Sequence, residues 1–318
     1  MPKKTSRKKN GRELPHDLSS VLRWDLTESK GGCGRVEVSF ASWPGSVSKA
    51  NEDFVVASPR VAVVLDGLSA PPPLGTGCLH GTPWFVAQLG AQVMSAATTG
   101  SDEPLQHLVA SAIMRVADSH AHSCDLDHPG TPSSSLAVLR EHDQRVEYLL
   151  LFDSVIVLDG PSGLAVVTDR RVDAFAHQED LATREHPIGS PAHQERVQEL
   201  VAAQRRHRNQ PGGYWVAGAK PAAAYQAITG SRRHDQVNRA VLLTDGVSCL
   251  VELYAAAQWP ELLDSMQERG PTHVISRVRG VEDADPSGTR WPRYKPSDDA
   301  TAAFCVMRHS GRLASTRS

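Results

Sequence analysis

The chain has 318 residues, of which 40% are hydrophobic and 22% are charged, and its formal net charge is −2. This composition is ordinary for a soluble globular protein, and the length allows one large domain or two small ones around a substantial core. The small net charge gives no global attraction to nucleic acid or to an anionic membrane, and no apolar stretch is long enough to span a bilayer. We therefore expect a cytoplasmic protein that binds neither nucleic acid nor membrane.

The N-terminal residues 1–30 form a basic tail that contains almost no apolar side chain in its first part. Its cations are Lys3, Lys4, Arg7, Lys8, Lys9 and Arg12. Such runs rarely fold alone, so we predict a disordered, solvated arm, with docking to an acidic partner as the alternative. No apolar h-region follows the basic run, which argues against a secretory signal.

The elements predicted downstream are strands, then helices, then strands, then helices. Apolar β-branched runs predict strands at 36–40, 54–57, 61–65, 135–140, 145–152, 155–158, 164–168, 239–244 and 302–307. Apolar residues at i, i+3, i+4 and i+7 predict helices at 84–98 and 105–121. Further helices are predicted at 193–207, which is charged, and at 221–228, 248–257, 261–269 and 272–281. This order favours α+β layering in a single domain over 31–309, followed by a short tail at 310–318. The polar segment 173–213 is predicted to be an insert or lid.

The five cysteines are odd in number and widely scattered: Cys33, Cys78, Cys124, Cys249 and Cys305. There is no CxxC pair and no familiar zinc-like spacing to a histidine pair. We therefore predict reduced, mostly buried thiols.

Short acidic clusters stand beside apolar runs at five places. They are Asn51-Glu52-Asp53, Asp66-Gly67, Asp153-Ser154, Asp245-Gly246 and Asp298-Asp299. Carboxylates at strand ends can meet at one edge of a sheet, where their mutual repulsion calls for divalent cations as counter-charge. Asp-Gly is also a favoured turn dipeptide, so the alternative that these residues only form turns stays open.

The order of these motifs resembles the metal-dependent type 2C (PPM-type) serine/threonine protein phosphatases, over about residues 36–308. The matching residues are the five clusters above together with Ser133-Ser134-Ser135-Leu136-Ala137 and Ala300-Thr301. The resemblance implies a four-layer αββα sandwich, in which two packed, mostly antiparallel β-sheets are flanked by helices. It also implies two Mg²⁺ or Mn²⁺ ions in a cleft and a phosphorylated protein as substrate.

The same resemblance implies a role for each matched residue. Asp66 would bridge both metals, and Gly67 would offer its carbonyl oxygen. Asp245 and Asp298 would hold the second metal, so that Asp66 and Asp245 are the essential catalytic ligands. The set is completed by Asp53, by Glu52 through water, and by Asp153, which with Asp245 would bind a third, weaker ion.

The substrate side departs from the family pattern. Ser48 stands where members usually carry a phosphate-binding Arg, and Phe152 replaces the Gly before Asp153. Lys49 could supply a charge in place of the Arg, and His80 is either a surface residue or a general acid at the substrate phosphate. Three functions remain open: an active phosphatase, a catalytically weak or non-catalytic regulatory protein of the same fold, and another two-metal hydrolase acting on small phosphoesters.

Overall fold

The computed structural model describes residues 35–68, 74–99 and 102–308. The predicted tails at 1–30 and 310–318 lie outside these residues, as does Cys33. Within the described part of the chain, none of the helices is both long and apolar enough to cross a bilayer.

In the described part of the chain, ten strands form two antiparallel sheets of five strands each. The first sheet has the order β1-β10-β9-β6-β7. Its strands are β1 (Arg35–Trp43), β6 (Val155–Gly160), β7 (Gly163–Val167), β9 (Arg239–Leu243) and β10 (Ala300–Arg308). The second sheet has the order β2-β3-β4-β5-β8. Its strands are β2 (Asp53–Ala57), β3 (Val61–Asp66), β4 (Leu136–His142), β5 (Arg145–Leu151) and β8 (Ile228–Arg233).

Helices cover the outer face of each sheet. The second sheet is covered by α1 (Gly81–Thr98) and α2 (Leu105–His120). The first sheet is covered by α5 (Asp245–Glu252), α6 (Trp259–Arg269) and α7 (Pro271–Ala284). Two further helices, α3 (His177–Arg184) and α4 (Pro191–Arg205), lie in the segment predicted as an insert. The resulting order of layers confirms the predicted four-layer αββα sandwich.

The alternation of side chains along each strand produces this layering. In β3, Ala62 and Val64 pack between the sheets, whereas Val61, Val63 and Leu65 pack under α1 and α2. Successive residues of a strand point to opposite faces, so a strand that is apolar at every position belongs between two apolar layers. The continuous apolar run at 61–65 is therefore explained by burial on both faces.

Two sequence predictions are wrong in this region. The segment 221–228 is a 3₁₀ turn at Pro221–Gln226 followed by strand β8, rather than one helix. Because β8 lies at a sheet edge and carries polar residues, it lacks the apolar alternation of the other strands. The predicted helix 248–257 begins three residues earlier, at Asp245, and ends at Glu252.

The packing between the sheets generates a testable prediction. Leu139 in β4 is fully buried among residues of both sheets. Leu139→Ala should lower the free energy of unfolding by about 2–5 kcal/mol, because it leaves a cavity in a dense core. Leu164→Ala, on strand β7 where the side chain is 38% exposed, is the matched control and should cost less than about 1 kcal/mol. Urea unfolding of both variants measures the difference, and equal losses would contradict this account of the core.

Candidate metal centre

The strand pairing brings the acidic residues to one end of the sandwich. Asp53 is the first residue of β2 and pairs directly with Asp66, the last residue of β3. In the other sheet, Leu243 at the end of β9 pairs with both Ala302 and Val155. The residues just beyond these positions are Asp245, Asp298 and Asp153. Both sheets therefore contribute carboxylates to the same edge.

Asp66 lies at the electrostatic centre of this group. Burial, followed by repulsion from the other four carboxylates, raises the pKa of Asp66 well above its usual range; these four are Asp245, Asp53, Asp298 and Asp153. Without a cation, the protein must hold protons here in order to limit the repulsion.

The neighbouring carboxylates show the same effect. Burial and repulsion from Asp245 raise the pKa of Asp153 well above its usual range. Asp245 borders the open cleft, yet loss of surrounding water and repulsion from Asp298 raise its pKa to about 6. Shifts of this kind arise where like charges share one site.

One oxygen of Asp53 is left without a partner. Its Oδ2 accepts a hydrogen bond of 2.9 Å from the Thr244 hydroxyl, and burial raises the pKa of this carboxyl group well above its usual range, an effect partly opposed by the nearby Thr301 and Thr244 side chains. The Oδ1 atom is buried and has no hydrogen-bond partner among the described residues. A buried carboxylate oxygen without a donor is costly, and a bound cation would satisfy it. The donor set therefore fits a hard divalent metal.

The glycines of the two Asp-Gly pairs are required by close backbone approach. A Cβ atom at Gly67 would lie 2.5 Å from the Glu52 carbonyl oxygen, and one at Gly246 would lie 1.9 Å from the Asp299 carbonyl oxygen. Neither pair is a hairpin tip, because Gly67 bridges to Ser134 and Asp245 begins α5. The interpretation of these dipeptides as simple turn formers is therefore wrong.

Asp299 ties the two sheets together beside the site. Its Oδ1 and Oδ2 accept hydrogen bonds of 2.7 Å each, from the backbone amides of Gly45 and Glu52. Glu52 is thereby held next to the carboxylate group. The exposed loop that precedes it carries Ser48 and Lys49, and the charge of Lys49 lowers the pKa of Glu52 against the larger effect of burial.

Two cations, Lys295 and Arg184, line the cleft with Asp245 and Asp298, beside Arg293, which is ion-paired with Asp285. Lys295 forms an ion pair with Asp298 and keeps a side chain that is 46% exposed. Partial burial opposes its charge, but Asp298, Asp66 and Asp245 raise the pKa of Lys295 far above its usual range. It belongs to the run 290–295, in which basic and aromatic residues alternate, a pattern that can hold a phosphate at the rim of a site. No sequence pattern marks Arg184, which comes from α3 in the predicted insert.

Arg184 is held in place by its neighbours. Its Nε lies 2.9 Å from Asp180 Oδ2, and Asp180 also accepts a hydrogen bond from the Tyr294 hydroxyl. The insert thus reaches the edge of the metal centre through α3. A guanidinium at this position can bind an anion in a planar, two-pronged geometry.

Phe152 occupies a backbone conformation that favours glycine. Its φ is +68°, in the left-handed region that bulky residues rarely adopt. The ring is stacked on Tyr214 with centroids 5.2 Å apart, in a small apolar cluster with Val216. Packing against the segment that directly follows the insert therefore stabilises a strained residue before Asp153.

The structure places His80 in a different group. Its ring lies beside Cys78, Cys124 and His120, and it stacks on Trp84. The sequence spacing of the cysteines did not indicate this group, but in the structure two histidines complete a compact cluster with Cys78 and Cys124. Of the described cysteines, only Cys305 is fully buried, and Cys78, Cys124 and Cys249 are half-buried.

Comparisons with known proteins place the fold. No protein-family model and no curated protein matches the chain. Among solved structures, the serine/threonine phosphatase PstP/Ppp of Mycobacterium tuberculosis is 15% identical with a TM-score of 0.51, and the match covers 86% of this chain and 100% of that one. Serine/threonine phosphatase Stp1 of Staphylococcus aureus is 11% identical with a TM-score of 0.54, covering 89% of this chain and 100% of that one.

A third solved structure, of the PstP catalytic domain in complex with two manganese ions, is 15% identical with a TM-score of 0.50, covering 86% of this chain and 99% of that one. At these identities the similarity concerns the fold. The chain therefore has the fold of the PPM-type serine/threonine phosphatases, as its motif order predicted.

Proposed function

We propose that the chain is a metal-dependent phosphoprotein phosphatase that hydrolyses phosphoserine and phosphothreonine monoesters. The main support is the convergence of carboxylates on Asp66 together with the unpartnered oxygen of Asp53. A fold that buries several like charges at one edge, and leaves an oxygen unsatisfied, gains stability when a divalent cation binds there. Phosphorylated protein as the substrate and a cytoplasmic location remain predictions.

The donor set suits two Mg²⁺ or Mn²⁺ ions. We propose that Asp66, Asp53, Asp245 and Asp298 hold them, with the Gly67 carbonyl oxygen and with Glu52 through water, and that Asp153 adds a weaker third position. Oxygen donors select hard cations, whereas thiol and imidazole donors select zinc. When bound, such a pair of ions supplies an activated water and neutralises phosphate oxygens.

Arg184 and Lys295 are proposed to bind the substrate phosphate in place of the Arg that the family carries at position 48. Both line the cleft with two of the carboxylates, whereas Lys49 stands on an exposed loop. Arg184 can contact two phosphate oxygens at once and Lys295 acts as a point charge. Their role is to orient the phosphorus atom toward the metal side of the cleft.

The ion pair between Lys295 and Asp298 favours one alternative, a non-catalytic protein of the same fold. In that case Lys295 would replace part of the missing positive charge, and the carboxylates would bind metal weakly. The alternative predicts no turnover, whereas the phosphatase proposal predicts turnover that depends on added metal.

The first prediction concerns Asp66. The parent protein with Mn²⁺ should hydrolyse p-nitrophenyl phosphate and a phosphothreonine peptide, and EDTA should stop both reactions. Asp66→Asn should lower kcat/KM by about 10²-fold or more, because it removes a group that acts at the transition state. Asp264→Asn, at an exposed position on α6, is the matched control and should leave kcat/KM unchanged. Metal-independent turnover, or an Asp66→Asn variant as active as the parent, contradicts the proposal.

The second prediction concerns Asp245 and pH. The pKa of Asp245 in the folded protein is raised to about 6 from its usual value of 3.8. The folded protein therefore binds more protons than the unfolded chain between these values, so stability in EDTA should fall as the pH rises through this window. Asp245→Asn should flatten this dependence and raise Tm at pH 7 in EDTA, while losing most of the stabilisation by Mn²⁺. If Asp245→Asn has a lower Tm than the parent in EDTA at pH 7, repulsion between the carboxylates does not destabilise the metal-free protein, and the explanation is wrong.

The third prediction separates the two cations of the cleft from Lys49. Lys295→Gln and Arg184→Gln should each raise KM for a phosphopeptide by about 10- to 100-fold, the range expected for a lost hydrogen bond between charged groups. Arg196→Gln, on an exposed face of α4, and Lys49→Gln should leave KM within about twofold of the parent. If Lys49→Gln alone raises KM, the phosphate is bound from the loop before β2 instead.

A further inference from the structure

Two cysteines and two histidines form a compact cluster at the end of the molecule where α1 begins and α2 ends. Cys78 and His80 precede α1, whereas His120 is the last residue of α2 and Cys124 lies just beyond it. One potential ligand atom of each residue lies within 4.8 Å of those of all the others. The proposed phosphatase chemistry uses none of these four residues.

The distances between ligand atoms match those around one tetrahedral ion. Cys78 Sγ lies 3.7 Å from the Nδ1 atoms of both His80 and His120. Cys124 Sγ lies 3.4 Å from Cys78 Sγ and 3.4 Å from His80 Nδ1. A tetrahedral zinc with Zn–S bonds of about 2.3 Å and Zn–N bonds of about 2.0 Å separates its ligands by roughly 3.3–3.8 Å. The side chains therefore already enclose a space of the right size.

The backbone holds the two halves of the cluster together without help from the ligands. The Asp125 amide donates a hydrogen bond of 2.8 Å to the Gly77 carbonyl oxygen. Gly77 has a φ of +65°, and a Cβ atom there would lie 2.4 Å from the His128 side chain. Only glycine permits both this conformation and this approach. The loop is thereby fixed with Cys78 facing Cys124.

The cluster also provides the polar support that a metal–thiolate site needs. The Leu79 amide donates to Cys124 Sγ at 3.4 Å. The Ser123 hydroxyl lies 3.7 Å from the same sulfur. Trp84 stacks on the His80 ring with centroids 4.3 Å apart and 5.0 Å from the His120 ring. Such contacts orient ligands and favour the deprotonated thiol.

We propose that Cys78, His80, His120 and Cys124 bind one structural Zn²⁺ ion. Sulfur and imidazole donors in a set of four select zinc and leave no open position for a substrate. The ion would fix the start of α1 to the end of α2. Thr82, the second residue of α1, would meet a Cβ atom at Gly67, so the zinc site supports the helix that packs against the first Asp-Gly pair.

The metal content of the whole chain tests this proposal. Protein purified without chelators and dialysed against Mg²⁺ should contain about one zinc per chain by plasma mass spectrometry, since a four-ligand site holds one ion. Cys78→Ser/Cys124→Ser should contain close to none and should have a lower Tm. His122→Ala, an exposed histidine between two of the ligands, should retain the zinc. Asp66→Asn should also retain it, which separates this site from the carboxylate centre.

Cobalt spectroscopy keeps the test valid if the double cysteine variant does not fold. Co²⁺ added to the zinc-depleted parent should give the intense visible bands of a tetrahedral ion and a thiolate-to-metal charge-transfer band, and His120→Ala should change them. A parent that holds no zinc and gives no thiolate band overturns the proposal. So does a Cys78–Cys124 disulfide found by peptide mapping of freshly purified protein. Phosphatase activity is not the readout, so failure of the proposed function leaves this result unaffected.

Discussion

The repulsion among carboxylates around Asp66 is the constraint on which the rest of the architecture depends. Loss of surrounding water and repulsion from four like charges raise the pKa of Asp66, and such an arrangement is unfavourable unless other packing offsets it. The two sheets supply that packing, because the strands that end in these residues are buried on both faces. The apolar strands therefore stabilise the acidic edge of the sandwich, and the cleft at that edge stays accessible to a cation.

The sequence indicated that the carboxylates form a group, because each one stands beside an apolar run. Such a pattern is local and can be recognised without knowing the fold. The sequence could not predict Arg184, which reaches the cleft from the insert. The Cys/His cluster was missed for a related reason. Its halves read Cys-x-His and His-x₃-Cys, about forty residues apart, and only the packing of α1 beside α2 joins them. Strand β8 was missed because an edge strand with polar side chains carries little alternation.

The insert and the residue that follows it contribute both a cation of the cleft and the packing of Phe152. Phe152 keeps a left-handed backbone that glycine would adopt freely, and its ring packs on Tyr214, which directly follows the insert. The insert itself carries Arg184 into the cleft. The phosphate contacts proposed for Arg184 would therefore come from a different element than the loop that carries Ser48, and they require that this element stays docked.

The two proposed metal centres differ in donor chemistry, and that difference keeps their ions apart. Zinc binds more tightly than Mn²⁺ or Mg²⁺ to most sites, so selectivity must come from ligand type and geometry. The carboxylate centre offers only oxygen and spreads its charges over both sheets. The Cys/His cluster offers soft donors within 4.8 Å of one another. A zinc ion is therefore expected to bind most favourably at the Cys/His cluster, where it would stabilise α1. The oxygen ligands would then remain available to the harder cations.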